Sequence, residues 1–123
     1  MINAKNIINE INQRFPDFKV DSEFVNDLAI IGSDLKNYFI ERINNGDKIV
    51  FGKGVEFINE LIDGFDIDDS AGPFLDEIIL GLYTPEEKYY EIFMNCLSKK
   101  AKRQFEHGIK LWNSQKDSNH KME

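Results

Sequence analysis

The strongest constraint on this chain is the recurrence of helix stop and start signals along it: "RFPDF" at 14–18, Gly32–Ser33, "NNGD" at 44–47, "DDSAGP" at 68–73 and "YTPEE" at 83–87. Between these signals the apolar residues recur three and four positions apart, which is the period of one helix face and not the alternation of a half-buried strand. Ile7, Ile8 and Ile11 follow a candidate Asn3 cap, and Pro16 ends that pattern. Asp21 or Ser22 is placed to cap a segment whose Phe24, Val25, Leu28 and Ala29 share a face. Gly32 and Ser33 predict a break, with Ser33 capping a helix through Leu35, Tyr38, Phe39 and Ile43.

Asp47 predicts the start of a further helix that carries Val50, Phe51, Val55, Phe57, Ile58, Leu61 and Ile62 as far as Gly64, although "KIVFG" at 48–52 taken alone also suits a strand. Asp68, Asp69 and Ser70 are placed to cap the next helix, with Pro73 in its first turn and Phe74, Leu75, Ile78, Ile79 and Leu82 facing inward. In "YTPEE", Thr84 reads as a cap, Pro85 as a first-turn residue, and Glu86 and Glu87 as complements to the helix dipole; Tyr89, Tyr90, Phe93, Met94 and Leu97 follow. Ser98 is placed either to cap a last helix with Ala101, Phe105, Ile109 and Trp112 near four-residue spacing or to lie within one longer helix. The expected fold class is therefore all-α, a single compact domain of about six or seven short helices, mostly antiparallel to their neighbours. That domain covers residues 1–113, and the polar segment 114–123, "SQKDSNHKME", is expected to fray.

A chain of 123 residues can bury one core without disulfides or metals. The single cysteine, Cys96, lies among Phe93, Met94 and Leu97 and is expected to pack as a reduced, buried thiol, which suits the cytoplasm. The opening "MINAKNIINEINQRF" has no continuous apolar stretch of the kind a signal peptide needs. The longest apolar run, Leu28 to Ile31, falls far short of the roughly 20 residues that span a bilayer. The expectation is a soluble, cytoplasmic protein without a membrane segment, its ten phenylalanines filling the space between helices.

Net charge is −7, unevenly spread. From Glu56 to Glu91 there are eleven acidic residues and one base, Lys88, whereas from Ser98 onward seven bases face three acids. An acidic middle disfavours direct nucleic-acid binding and favours a basic partner.

Candidate reaction centres are sparse. "DIDDSAGPFLDE" sets Asp66, Asp68, Ser70 and Glu77 at the first, third, fifth and twelfth positions of a calcium loop. Its sixth position is Ala71, where such loops use glycine for a left-handed turn, and its eighth is Pro73, which has no amide proton to donate. The two histidines, His107 and His120, lack the spacing of a zinc site even with Cys96, no serine sits in a nucleophile elbow, and "FGKG" at 51–54 lacks Walker spacing. Lys99, Lys100, Lys102 and Arg103 wrap around their helix and do not form one stripe. No metal, no cofactor and no catalytic residue is expected, and the chain reads as a binding protein rather than an enzyme.

The succession "FPDF", "GVEFINELIDG", "GPFLDEIILGL" and a closing "KLWN" resembles a family of small, acidic, helical bacterial proteins, some of which act as immunity proteins beside polymorphic or contact-dependent toxins. The resemblance runs from about Phe15 to Asn113 and implies tight binding to a toxin domain, with no catalytic residues to carry over. A toxin that presents lysines and arginines, as a nuclease must to hold phosphates, would meet the carboxylates Glu60, Asp63, Asp66, Asp68, Asp69, Glu86 and Glu87. The alternative expectation is a helical adaptor or regulatory domain that takes a peptide or helix in an apolar groove.

Overall fold

The computed structural model describes residues 1–84 and 87–121, with the side chains of the last helix described as far as Gln115. Six α-helices follow in order: α1 (Ile7–Arg14), α2 (Leu28–Asn44), α3 (Lys48–Asp63), α4 (Gly72–Tyr83), α5 (Lys88–Met94) and α6 (Lys99–Lys121), with a short 3-10 turn at Ser22–Phe24. No strand occurs among the described residues, and "KIVFG" forms the start of α3, so the fold is all-α.

Local chemistry accounts for several boundaries. Oδ1 of Asp47 accepts from the Val50 amide at 3.0 Å and starts α3, which ends at Gly64. Between α2 and α3, Gly46 has a φ of 75°, a left-handed turn that glycine adopts without steric cost. Pro73 occupies the first turn of α4, and the Ser98 hydroxyl accepts from the Ala101 amide at 3.2 Å at the start of α6.

Other boundaries differ from expectation. Residues 22–29 do not form one helix: Asp21 caps only the 3-10 turn, Val25 is exposed, and α2 starts at Leu28 behind an Asp27 cap. Gly32 and Ser33 break nothing, because α2 runs through them to Asn44. Asn3 caps the turn ahead of α1, its Oδ1 accepting from the Lys5 amide at 2.9 Å, and α1 begins at Ile7. Asp68, Asp69 and Ser70 do not cap α4; its first residue follows Ala71, which offers no side-chain acceptor. Thr84 does not start α5 either. Its hydroxyl donates to the Leu80 carbonyl at 2.8 Å, so it closes α4, and α5 begins at Lys88. Pro85 and Glu86, assigned to that start, lie outside the described residues. The backbone from Ser114, expected to fray, is helical in α6 as far as Lys121, with Asn113, Ser114 and Gln115 exposed.

α4 packs against α2, α5 and α6, while α3 packs against α2 and α6. Every buried side chain among the described residues is apolar. Six phenylalanines, Phe15, Phe39, Phe57, Phe74, Phe93 and Phe105, are fully buried, and they meet at steep angles: Phe57 stands edge-on to Phe15 and to Phe74, each at 5.9 Å between ring centroids. Two residues expected in this core lie outside it. Cys96 is exposed just past the end of α5, and Trp112 retains 39% of its surface on α6. No helix among the described residues is long and apolar enough to cross a membrane.

Candidate functional site

The C-terminal end of α3 gathers most of the carboxylates picked out in the sequence. Glu60 and Asp63 occupy its last turn, which holds no base. The chain then folds tightly back, with the amides of Ile67 and Asp68 donating to the Gly64 carbonyl at 3.1 and 2.9 Å. This closure sets Ile67 beside Glu60 and Asp63, and Lys100 links Asp66 to the Asp63 carbonyl, while Asp68 and Asp69 follow in the same turn. A helix C-terminus already carries a partial negative charge, so carboxylates there raise the local negative potential at some cost in stability.

The structure does not bring Glu87 to this face. Glu87 is exposed at the start of α5, where the Tyr89 hydroxyl donates to Asn44 Oδ1 at 2.9 Å, so it lies by the end of α2 and the beginning of α3. At about 1.5 Å per residue, α3 separates the two ends by roughly 24 Å. Glu86 is outside the described residues.

Two of the five gathered carboxylates are engaged by the chain's own bases. Arg14, which also pairs with Glu10 at 3.1 Å and lies over the Phe57 ring, reaches Glu60 and so ties α1 to α3. Lys100 of α6 donates to Asp66 Oδ2 at 2.6 Å and to the Asp63 carbonyl at 3.4 Å. Hydrogen bonds from Ser70, its hydroxyl foremost and its amide second, hold the Asp68 carboxyl below the ordinary carboxylate range. The carboxylates of Asp63 and Asp69 are exposed and take part in no ion pair among the described residues.

Sequence reasoning passed over the apolar part of the same face. Ile67, set between Asp66 and Asp68, is 82% exposed, and Met1, which lies over Gly64, is 59% exposed. With Glu60, Asp63 and Gly64 they line a shallow depression of about 270 Å³. One signal was available: Ile67 stands between Asp66 and Asp68 in a run of acidic residues, outside the apolar stripes of the flanking helices.

The calcium-loop residues are committed to other contacts. Asp66 faces Lys100, Asp68 accepts from Ser70, the Ser70 hydroxyl accepts from the Ala4 amide at 3.1 Å, and Glu77 is exposed on α4. Ala71 is buried with a φ of −90°, so the left-handed turn of such loops is absent here. No three His, Cys, Asp or Glu side chains converge into a metal-holding group among the described residues.

A second concavity, of about 140 Å³, lies between α4 and α6 and is lined by Asp76, Ile79, Leu80, Gly108, Leu111, Trp112 and Gln115. Partial burial pushes the Asp76 carboxyl above its ordinary range, and among the described residues no cation offsets that burial.

No family model, curated protein or solved structure matches the chain.

Proposed function

We propose that this chain is an immunity-type binding protein, which captures and neutralises a basic toxin domain through the face at the C-terminal end of α3. The observation that carries the reading is the shallow depression that sets exposed Ile67 and Met1 beside Glu60 and Asp63, with Asp66, Asp68 and Asp69 in the turn that follows. An apolar centre inside a charged rim is the arrangement of a protein-binding hot spot: the centre supplies affinity, and the rim supplies steering and partner choice. The rim's sign selects a basic partner, and nucleases, which must present cations to phosphate, are the toxin class that fits best. A cytoplasmic setting, where a producing cell would need protection, belongs to the same proposal. The adaptor reading draws on a different place, the concavity between α4 and α6.

The test is co-expression with the product of a neighbouring toxin gene, scored by rescue of growth and by copurification, followed by binding kinetics. Reversing Asp63, Asp66 and Asp69 to Lys should slow association and flatten its dependence on salt, while Ile67→Ser should accelerate dissociation. A folded triple variant with an unchanged association rate and salt slope would remove this face as the recognition surface.

A further inference from the structure

We propose that the groove between α4 and α6 is a second docking site, for a helical protein segment that inserts one large apolar side chain beside Trp112 and sets a lysine or arginine against Asp76. This inference is independent of the acidic face on α3, and it rests on three features of the groove. Leu111 and Trp112, consecutive on α6, keep 49% and 39% of their surface exposed, and they do so over a concavity. Single exposed apolar residues need no explanation, but two large ones flanking a hollow with Ile79 and Leu80 in its lining form a binding element. Gly108 contributes no side chain to the hollow, and a methyl group there would sit in ordinary contact with Ile79 at 3.4 Å.

The size limits the occupant. A hollow of about 140 Å³ matches one ring or one branched aliphatic side chain, since a cavity of about 150 Å³ holds a benzene molecule. The charge limits it further. Among the described residues the ion pairs run from Arg14, Arg42 and Lys100 to other carboxylates, and none reaches Asp76. Asp76 and Leu80 are four apart on α4, so a partner helix lying along the groove meets the carboxylate one turn from its apolar anchor. The occupant is therefore a basic amphipathic helix with an apolar residue and a Lys or Arg four positions apart. The Asp76 carboxylate is what attracts the cation of such a segment, since α6 itself is the basic part of the chain, and a net charge of −7 opposes a second copy of this chain.

Trp112 is the only tryptophan, so its emission reports this groove and no other surface. The probes are helical peptides of about 18 residues on an alanine background, long enough to hold a helix, with Leu and Lys four apart, Leu and Glu four apart, or Ala and Lys four apart. The Leu/Lys peptide should shift Trp112 emission to the blue and saturate, and the other two should bind about tenfold or more weakly. Asp76→Asn should weaken the Leu/Lys peptide by about two- to fivefold and Leu111→Asp by about tenfold or more, each variant checked for fold by circular dichroism. The Asp63, Asp66 and Asp69 to Lys variant should still bind it, which separates this site from the face on α3. An emission spectrum that does not move, equal binding of the Leu/Glu peptide, or full binding by Asp76→Asn would overturn the proposal. So would a dimer, seen by sedimentation equilibrium without peptide, that already buries Trp112.

Discussion

A methyl group placed on Gly32 would stand 2.4 Å from the Phe74 carbonyl oxygen, so α2 and α4 cross with backbone against backbone at this point. Gly32→Ala must push two helices apart, and we expect a loss of about 2–3 kcal/mol in urea unfolding. Gly52, on the open side of α3 with nothing within 4 Å, supplies the opposite sign: Gly52→Ala should gain about 0.5–1 kcal/mol through helix propensity alone. A neutral Gly32→Ala would mean that the crossing relaxes at no cost. In the sequence the pair Gly32–Ser33 has the composition of a helix break, and what it does instead is decided by a helix forty residues further on. Asp76 makes a second residue-scale case. Its raised pKa means that the folded state holds the proton more tightly than the unfolded chain, so this group subtracts stability as pH rises through the carboxylate range. Asp76→Asn should therefore raise the melting temperature at neutral pH, by an amount worth under about 1 kcal/mol for so exposed a group. The gain should vanish below about pH 4, where the wild-type carboxyl is itself protonated. An equal gain at both pH values would trace the effect to something other than ionisation.

Among the helices, α3 shows what a local signal can and cannot specify. Both ends were legible because a side chain or a glycine next to the boundary makes them: Asp47 caps the start and Gly64 ends the run. Pro73 and Ser98 made the starts of α4 and α6 legible in the same way. Thr84 misled because a hydroxyl at a helix junction can serve either neighbour, and here it bonds back to Leu80. Trp112 and Cys96 misled for another reason: a helical period names the face that points inward, but not how far the partner helix extends to cover it. On the candidate face, the acidic residues were legible as a run, whereas the hollow around Ile67 exists only once the turn after α3 has folded over Met1 and Gly64. The last turn of α3 also carries a testable cost, because Asp63 opposes the helix dipole and the turn holds no base of its own, Lys100 reaching it only from α6. Asp63→Lys should stabilise the protein by about 0.3–1 kcal/mol at low ionic strength, and the gain should shrink in high salt. Thermal melts at two salt concentrations measure both. A destabilised variant would show that Asp63 holds a structural contact, and would weaken the case that its charge is kept for a partner.

Across the whole molecule, aromatic contacts link helices that are distant in sequence. Phe15 precedes the 3-10 turn and meets Phe39 of α2 and Phe57 of α3; Phe57 meets Phe74 of α4, and Phe39 meets Phe93 of α5. Phe105 of α6 joins through Tyr90 of α5 at 5.9 Å. With one such ring from each of α2 to α6, no helix among these can leave without exposing a ring belonging to another, and unfolding should be all-or-none. Phe57 has the most central place, between Phe15 and Phe74, with the Arg14 guanidinium over its ring. Phe57→Ala should cost about 3–5 kcal/mol, a large share of the roughly 5–15 kcal/mol that holds a domain of this size. The loss should appear equally in two probes that report different parts of the molecule. Far-UV circular dichroism follows all the helices, whereas Trp112 emission follows only the α4–α6 end, remote in sequence from the substitution. Coincident urea transitions in the wild type, displaced together by Phe57→Ala, are the expected result. If Trp112 emission changed at a lower urea concentration than the circular dichroism, the α4–α6 end would be a separate, weaker unit. The rings would then not couple it to the rest, and the groove beside Trp112 would belong to an element able to open on its own.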